Sequence, residues 1–233
     1  VYILFDTNMK KYLNKILELR FFILECVNIL RFGSNAPRNC ELIWVNPNIC
    51  NNAVNNSAAK LANMGATVKH GDWDRDLISV NKCPNVRFSN IRWLNGIPWD
   101  QTGSTEYTMN YLKKYDTFDD ISTIDDINSR HKNLDKIFSQ VRQEGKLRPQ
   151  YQIDKKCFRE RNGILIHIDR DCKPIFGRAG EHRFCMSRIL RLPIIPAQVG
   201  IIHPEALFKW RKIFQAQNPP PISDYINHIL KKI

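Results

Sequence analysis

The clearest alternation of apolar and polar positions in the chain predicts a helix that ends at Gly145. Its apolar positions are Leu134, Ile137, Phe138 and Val141. They follow the i, i+3, i+4 and i+7 spacing that places side chains on one face of a helix. A glycine directly after such a pattern is a common helix end.

A second helical pattern runs through residues 10–32 and includes Leu17, Val27 and Leu30. Glu18, Arg20 and Glu25 interrupt its apolar stretch, which is therefore too short for a bilayer span. We expect a buried amphipathic helix and no membrane span. Because the chain opens on a valine, we expect a trimmed reading frame, and an upstream targeting segment is left open.

Short runs rich in β-branched residues predict three strands, at 41–49, 162–169 and 194–203. The first ends at an Asn-Pro turn. Between the last two strands, the sequence predicts a turn and a helix over about 180–191, closed by Pro193.

Further helices are expected at about 204–216 and 222–232, and an extended segment at 146–154, which Pro149 holds open. Residues 77–125 have a weak pattern rich in Asn, Asp, Thr and Trp, which we interpret as a long, turn-rich connection. These elements predict an α+β (mixed α/β) fold with a boundary near residue 125. Residues 1–125 would form a helical and mixed N-terminal region, and residues 126–233 the core with its C-terminal helices.

The composition is that of an ordered globular protein, with 43% hydrophobic and 25% charged residues. The 35 Lys and Arg against 23 Asp and Glu give a formal charge of +12, which favours anionic partners. The basic residues are scattered singly and in pairs, so a solvated basic surface explains them as well as a nucleic-acid footprint does.

The seven cysteines are widely spaced and include no CxxC pair. This spacing is typical neither of a structural zinc site nor of a secreted disulfide framework. We therefore expect a reducing, cytoplasmic compartment.

The stretch GRAGEHRFCMSRILRLPIIPAQV, residues 177–199, carries the candidate chemistry. At the first turn of the predicted helix, free backbone N–H groups and the positive end of the helix dipole favour an anion. Gly180 permits close backbone approach, and the guanidinium of Arg183 suits phosphate. A plain alternative stays open, because Glu181 is also the acid expected at a helix start.

Residues 127–205, with this turn and the IIPAQV strand after it, resemble the core of the ParB/sulfiredoxin superfamily. The whole chain also resembles uncharacterised ParB-like proteins encoded beside methyltransferases and glycan-assembly enzymes. The resemblance implies a ParB/sulfiredoxin-like nucleotide-binding core in the C-terminal half, with an N-terminal extension.

In ParB proteins a Gly-Glu-Arg-Arg turn holds the triphosphate of CTP. The resemblance therefore implies that Gly180, Glu181, His182 and Arg183 contact nucleotide phosphates, with His182 in place of an arginine. Arg148 matches a position near the nucleotide. The implied cofactor is ATP or CTP with Mg²⁺.

In sulfiredoxins the turn carries a catalytic cysteine where this chain has Glu181, so their sulfur chemistry is not expected. Cys185, one helical turn later, is expected to pack inward. The free serine kinases, a third branch, use acidic catalysis. By that resemblance Glu181 would be a general base and His182 a substrate or phosphate contact, which makes these two residues the catalytic candidates.

Only 28 residues follow residue 205, which is short for the helix-turn-helix region of ParB proteins, so sequence-specific DNA binding is not favoured. Related domains have been labelled nucleases, but this sequence has no dense cluster of acidic residues around the motif that could hold a catalytic metal, so nuclease activity is not expected.

The segment HGDWDRD offers Asp72 and Asp74, with Asp76, at alternate positions. In an extended chain these carboxylates would share one side and hold Mg²⁺. A polar turn packed by Trp73 is the alternative.

Two functions remain open from the sequence. The first is a nucleotide-binding protein, as a switch or as a phosphotransferase acting on a small or glycan-linked hydroxyl. The second is a non-catalytic module that binds nucleic acid or a protein through its basic surface. The oligomeric state is left unknown.

Overall fold

A computed structural model of the chain describes residues 22–55, 66–115, 121–155 and 157–215. Residues 22–32 are helical, as the N-terminal pattern predicts, and we call this helix α1. The expectation that this helix is buried is wrong over the described residues, because Ile23, Val27 and Leu30 are exposed. The rest of that pattern, and the helix expected at 222–232, lie outside the described residues.

The described strands form one mixed sheet of seven strands, with β1, β7, β5, β6, β2 and β4 in that spatial order and β3 beside β7. Their bounds are β1 Leu42–Val45, β2 Asn52–Val54, β3 Thr67–Val68, β4 Leu77–Ser79, β5 Leu165–Ile168, β6 Pro174–Phe176 and β7 Ile195–Ile202.

Strand β7 pairs with three other strands of this sheet, β1, β3 and β5. It pairs in parallel with β5, where Leu165 lies opposite Gln198, and antiparallel with β1, where Val45 lies opposite Ile195. All but one of its eight residues are buried. A nearly continuous apolar run of this kind is typical of a strand that is covered on both faces.

Six described helices follow α1. Their bounds are α2 Pro84–Asn95, α3 Ser104–Tyr115, α4 Ile124–Glu144, α5 Gln150–Ile153, α6 Glu181–Ile189 and α7 Trp210–Ile213. None of the helices within the described ranges has the length and apolar character needed to cross a membrane.

Helix α4 confirms the clearest sequence pattern. Thr123 caps its start, exchanging hydrogen bonds with Asp126 in a capping box. Gly145 ends it in the left-handed conformation, at φ 64°. The strands predicted at 41–49, 162–169 and 194–203 and the helix predicted at 180–191 are also observed, as β1, β5, β7 and α6.

The long connection predicted over residues 77–125 is wrong, because α2 and α3 lie there. Helix α2 buries only Val86, Phe88 and Ser89, so its apolar face is too narrow to stand out among polar neighbours. Pro84 at its first turn and Gly96 at its end were the available signals.

Three smaller expectations also need correction. Gln150–Ile153 is a short helix, not extended chain, because Pro149 restricts the residue before it and leaves the residues after it free to form a helix. The helix predicted at 204–216 is a 3₁₀ turn, Pro204–Ala206, followed by the single turn of α7. Strands β2 and β6 were not predicted, since three residues give too little alternation.

The fold is mixed α/β, as expected at that coarse level. Among the strands described here, β1 to β4 precede residue 126 and β5 to β7 follow it. The sheet therefore contains strands from both sides of residue 125.

One face of the sheet carries the main core. Phe176 and Phe184 stack there with ring centroids 4.2 Å apart, and Trp210 is fully buried beside them. The same cluster includes Val86 of α2 and Val141 of α4. Helices α2, α4, α6 and α7 therefore share one core with the sheet, and this packing fixes where α6 begins.

Candidate anion-binding turn

The turn between β6 and α6 is fastened to β5 by backbone hydrogen bonds. The Gly177 N–H donates to the Leu165 carbonyl at 2.8 Å, and the Leu165 N–H donates to the Ala179 carbonyl at 3.2 Å. Gly180 has a φ of +73°, and a Cβ built on it would lie 3.0 Å from the Ile164 Cα. Only glycine meets both demands, so the backbone approaches β5 closely at this point.

The N-terminus of α6 has no side-chain cap. Its first helical hydrogen bond runs from the Phe184 N–H to the Gly180 carbonyl at 2.9 Å. The N–H groups of the first turn therefore stand at the positive end of the helix with no cap from the side chain at its start, which is the arrangement that favours an anion.

Arg183 places its guanidinium beside this helix start. Its Nη2 donates to the Arg148 carbonyl at 2.8 Å, whereas Nη1 is buried and has no partner among the described residues. Burial lowers the pKa of Arg183 from its usual value, and Glu160 opposes that effect. An arginine stays protonated regardless, so the half-buried Arg183 remains a cation whose Nη1 group has no partner within the described chain.

Glu160 is the buried carboxylate near Arg183, and sequence reasoning missed it. It is fully buried, with Oε2 accepting the Gln150 N–H at 2.8 Å and Oε1 unpartnered within the described chain. Burial raises the pKa of Glu160 to about 7, although that hydrogen bond and Arg183 both favour the charged form. The only local signal was an acid between two arginines.

Glu181 faces the neighbouring helix α2. The backbone and side chain of Asn85 donate to its carboxylate, and the Arg178 Nε lies 3.5 Å from its Oε1. Burial raises the pKa of Glu181, while Arg178 and Asn85 lower it. Since Cys83 gives α2 no side-chain cap, Glu181 serves as its cap from another helix.

His182 also ties α6 to α2. Its Nδ1 lies 2.9 Å from the Ser89 Oγ, and its ring meets Trp99 edge-on with centroids 6.2 Å apart. Burial lowers the pKa of His182 to about 3, so its imidazole is neutral at pH 7. It contributes no charge toward an anion.

Arg178 is a second residue that sequence reasoning missed. It has a φ of +66°, and Glu181 is its one partner within the described chain. Contact is made through Nε, which leaves the two terminal nitrogens without a described partner. Arg178 therefore offers a cation where the starts of α2 and α6 meet.

Arg148 reaches the site through its backbone alone. Its side chain is half-exposed and pairs with Glu144, with Nη2 2.6 Å from Oε1. Its carbonyl is the acceptor for Arg183. The structure therefore brings Gly180, Arg183 and the Arg148 carbonyl together, and directs the side chains of Glu181 and His182 toward α2.

The extended chain predicted for the aspartates at 72 and 74 is wrong, because residues 73–75 form a turn. Arg170 occupies both carboxylates, with its Nη2 2.8 Å from the Asp72 Oδ1 and 2.7 Å from the Asp74 Oδ1. Trp73 is buried beneath them. An arginine between two carboxylates leaves them a poor fit for Mg²⁺, and we assign no metal to them.

Across the described ranges, no three His, Cys, Asp or Glu side chains form a group that could hold a metal ion. Cys185 packs inward as expected, with Sγ 3.2 Å from the Asn90 Oδ1.

Comparison of the chain with models of protein families, with curated proteins and with solved structures gives no match.

Proposed function

We propose that this protein binds nucleotides, ATP or CTP, through their phosphates at the turn from Gly180 to Arg183. The observation that carries the proposal is the start of α6, which has no side-chain cap, beside a half-buried Arg183 whose buried Nη1 has no partner among the described residues. Phosphate oxygens would accept from the backbone N–H groups and from the guanidinium together. The close approach of Gly180 to β5 holds that backbone in place.

The contacts of Glu181 and His182 favour a binding site or switch over a phosphotransferase. A general base must reach the hydroxyl that it activates. The Glu181 carboxylate is instead held by Asn85 and Arg178, and His182 is held by Ser89. For phosphoryl transfer to a small or glycan-linked hydroxyl, the Glu181 carboxylate would have to give up its hydrogen bonds to Asn85 of α2.

Mg²⁺ belongs to this proposal only as a companion of the nucleotide. Since Arg170 pairs with Asp72 and Asp74, the ion would be held by the nucleotide phosphates and not by these two carboxylates. The cytoplasmic location is likewise part of the proposal and rests on the cysteine pattern.

The test is a thermal-shift titration with inorganic triphosphate, ATP and CTP, each with and without Mg²⁺. At a hundredfold excess over the Kd, a ligand stabilises the folded state by about 2.7 kcal/mol. For a chain of this size that corresponds to a Tm rise of roughly 5–10 °C.

Arg183→Ala is expected to remove the shift, and Arg142→Ala, an exposed arginine on α4, to keep it. If none of the three ligands raises the Tm, the proposal is wrong.

The alternative function, a basic module for nucleic acid or a protein partner, is supported by the formal charge of +12. It predicts salt-dependent nucleic-acid binding that survives Arg183→Ala. That result, together with no triphosphate shift, would favour the alternative.

A further inference from the structure

Glu160 contacts both chain segments that hold the candidate anion-binding turn in place. The first is the segment 148–150. The Arg148 carbonyl accepts the Arg183 Nη2 at 2.8 Å, and the Gln150 N–H donates to the Glu160 Oε2 at 2.8 Å. These two backbone groups belong to consecutive peptide groups of the chain. The Arg183 guanidinium and the Glu160 carboxyl are therefore held side by side along one short stretch of backbone.

The second segment is the start of β5. A Cβ built on Gly163 would lie 2.6 Å from the Glu160 Oε1. The next residue, Ile164, is the one that Gly180 approaches, since a Cβ on Gly180 would lie 3.3 Å from the Ile164 N. The Glu160 carboxyl is therefore one residue away from the backbone on which the turn rests.

Both side chains keep a buried polar atom without a partner. Glu160 is fully buried, and neither its Oε1 nor the Arg183 Nη1 has a hydrogen-bond partner among the described residues. Each of the two charged groups is held by a backbone group through its other terminal atom. The Arg183 Nη1 is thus available to an anion, and an ionised Glu160 would repel that same anion.

Arg183 is the one charged group within the described chain that shifts the pKa of Glu160. Burial raises this pKa to about 7, while the Gln150 N–H and the charge of Arg183 lower it. A bound anion would offset the charge of Arg183. The ionisation of Glu160 is therefore sensitive to what Arg183 binds.

The other ionisable groups around Glu160 do not change charge near neutral pH. Cys40 accepts the Glu160 N–H at its carbonyl, at 3.0 Å, and Cys157 lies three residues before Glu160. Burial raises the pKa of both thiols, that of Cys40 to about 12, so both are neutral at pH 7. Arg159 and Arg161 flank Glu160 and stay charged throughout. A pH dependence near neutrality at this place would therefore come from Glu160.

We propose that Glu160 is the proton-accepting residue of the phosphate site, and that it takes up a proton when an anion binds beside Arg183. The inference rests on the proposed function and adds the regulation of that same site by pH. An anion at Arg183 cancels the attraction that stabilises the ionised carboxylate and adds a repulsion of its own. Both effects favour protonated Glu160, so protonation and anion binding strengthen each other.

This linkage determines the direction of the pH dependence. The bound anion raises the pKa of Glu160 above its value of about 7 in the free protein. Full affinity is therefore present below pH 7 and is lost as the pH rises through the higher pKa of the complex. A rise of about one pKa unit corresponds to a change of about tenfold in Kd.

The experiment measures the Kd of inorganic triphosphate by isothermal titration calorimetry at about pH 6 and about pH 9. It compares the parent with Glu160→Gln, whose amide has the shape of the acid and stays neutral. The ratio of the parent Kd to the Glu160→Gln Kd should rise about tenfold between the two pH values. The protonation of the ligand itself cancels in this ratio.

Glu144→Gln is the matched control, because it makes the same change at a carboxylate that pairs with Arg148 at the end of α4. Hydrogen bonds from Gln140 and Arg148 lower the pKa of Glu144, so it is ionised at both pH values. The ratio of the parent Kd to the Glu144→Gln Kd should therefore be the same at both.

Proton uptake is a second readout, which a merely structural role of Glu160 would not move. Titrations near pH 7.5 in two buffers of different ionisation enthalpy should show the parent taking up about half a proton more than Glu160→Gln. In the parent itself, the NMR signal of the Glu160 carboxyl carbon should titrate at a higher pH when triphosphate is bound.

A Kd ratio that does not change with pH, equal proton uptake, or an unmoved titration of the carboxyl carbon would overturn the inference and leave the phosphate site standing. If triphosphate binds the parent at neither pH, the proposed function fails and this inference fails with it. Triphosphate binding by Glu160→Gln at about pH 6 shows that the variant is folded, and the carboxyl titration of the parent needs no variant.

Discussion

Replacing Gly180 with alanine tests whether the turn before α6 depends on its close approach to β5. Gly145 provides a matched control, because the two glycines have similar positive φ angles, +73° and +64°. A Cβ on Gly145 would meet nothing within 4 Å, whereas a Cβ on Gly180 would lie 3.0 Å from the Ile164 Cα and 3.3 Å from its N.

The expected losses follow from these contacts. Gly145→Ala incurs only the left-handed backbone cost, about 1–2 kcal/mol of unfolding free energy. Gly180→Ala incurs that cost and also crowds backbone atoms that cannot move without shifting β5. Crowding of this kind adds about 1–3 kcal/mol.

Urea denaturation, followed by the fluorescence of the five tryptophans, measures both losses. We expect Gly180→Ala to lose more than Gly145→Ala and to bind inorganic triphosphate more weakly. Losses that agree within about 0.5 kcal/mol would refute the argument that β5 confines this turn.

Three further predictions concern ionisable side chains that are buried or partly buried. Glu160, with its pKa raised to about 7 from 4.5, keeps a proton that the unfolded chain releases, so its ionisation destabilises the fold between these pH values. Glu160→Gln should therefore gain about 1–3 kcal/mol over the parent from pH 5 to pH 8, and parallel urea midpoints would contradict this. Arg170→Ala leaves the buried carboxylate of Asp74 unpaired and should lower the unfolding free energy, measured in urea at pH 7, by about 3–5 kcal/mol. Asp72→Ala removes only an exposed carboxylate and should lower it by less than about 1 kcal/mol. Similar losses in the two variants would argue against the buried pair of Arg170 and Asp74. The NMR shift of the His182 ring proton should not titrate between pH 5 and pH 8, because burial holds its pKa near 3, and a step near pH 6.5 would count against its contact with Ser89.

Local pattern predicts the elements that carry the site, because their signals are strong. Apolar runs gave β5 and β7, and the helix start at Gly180 was evident from glycine and charge spacing. Helices α2 and α3 escaped prediction because α2 turns few apolar side chains inward. Helix α2 packs against α6, and α3 packs against α2 and α4, and no local window of the sequence contains these contacts.

The partners of the site residues were beyond prediction for a related reason. Arg183 meets the Arg148 carbonyl 35 residues away, and Arg170 meets Asp74 across 96 residues. Glu181 was weighed as the cap of its own helix or as a catalytic base, yet it contacts Asn85 of α2. The sequence shows which residues are charged, but the fold determines which of these charged residues contact one another.

The most direct test of the central claim is a ¹H–¹⁵N NMR titration of the protein with inorganic triphosphate. If phosphate binds at the start of α6, the backbone amide signals of Gly180 to Arg183 should move further than those elsewhere in the chain. They should stay in place when Arg183→Ala is titrated. Saturable changes confined to other surfaces, with these amides unmoved, would contradict the account.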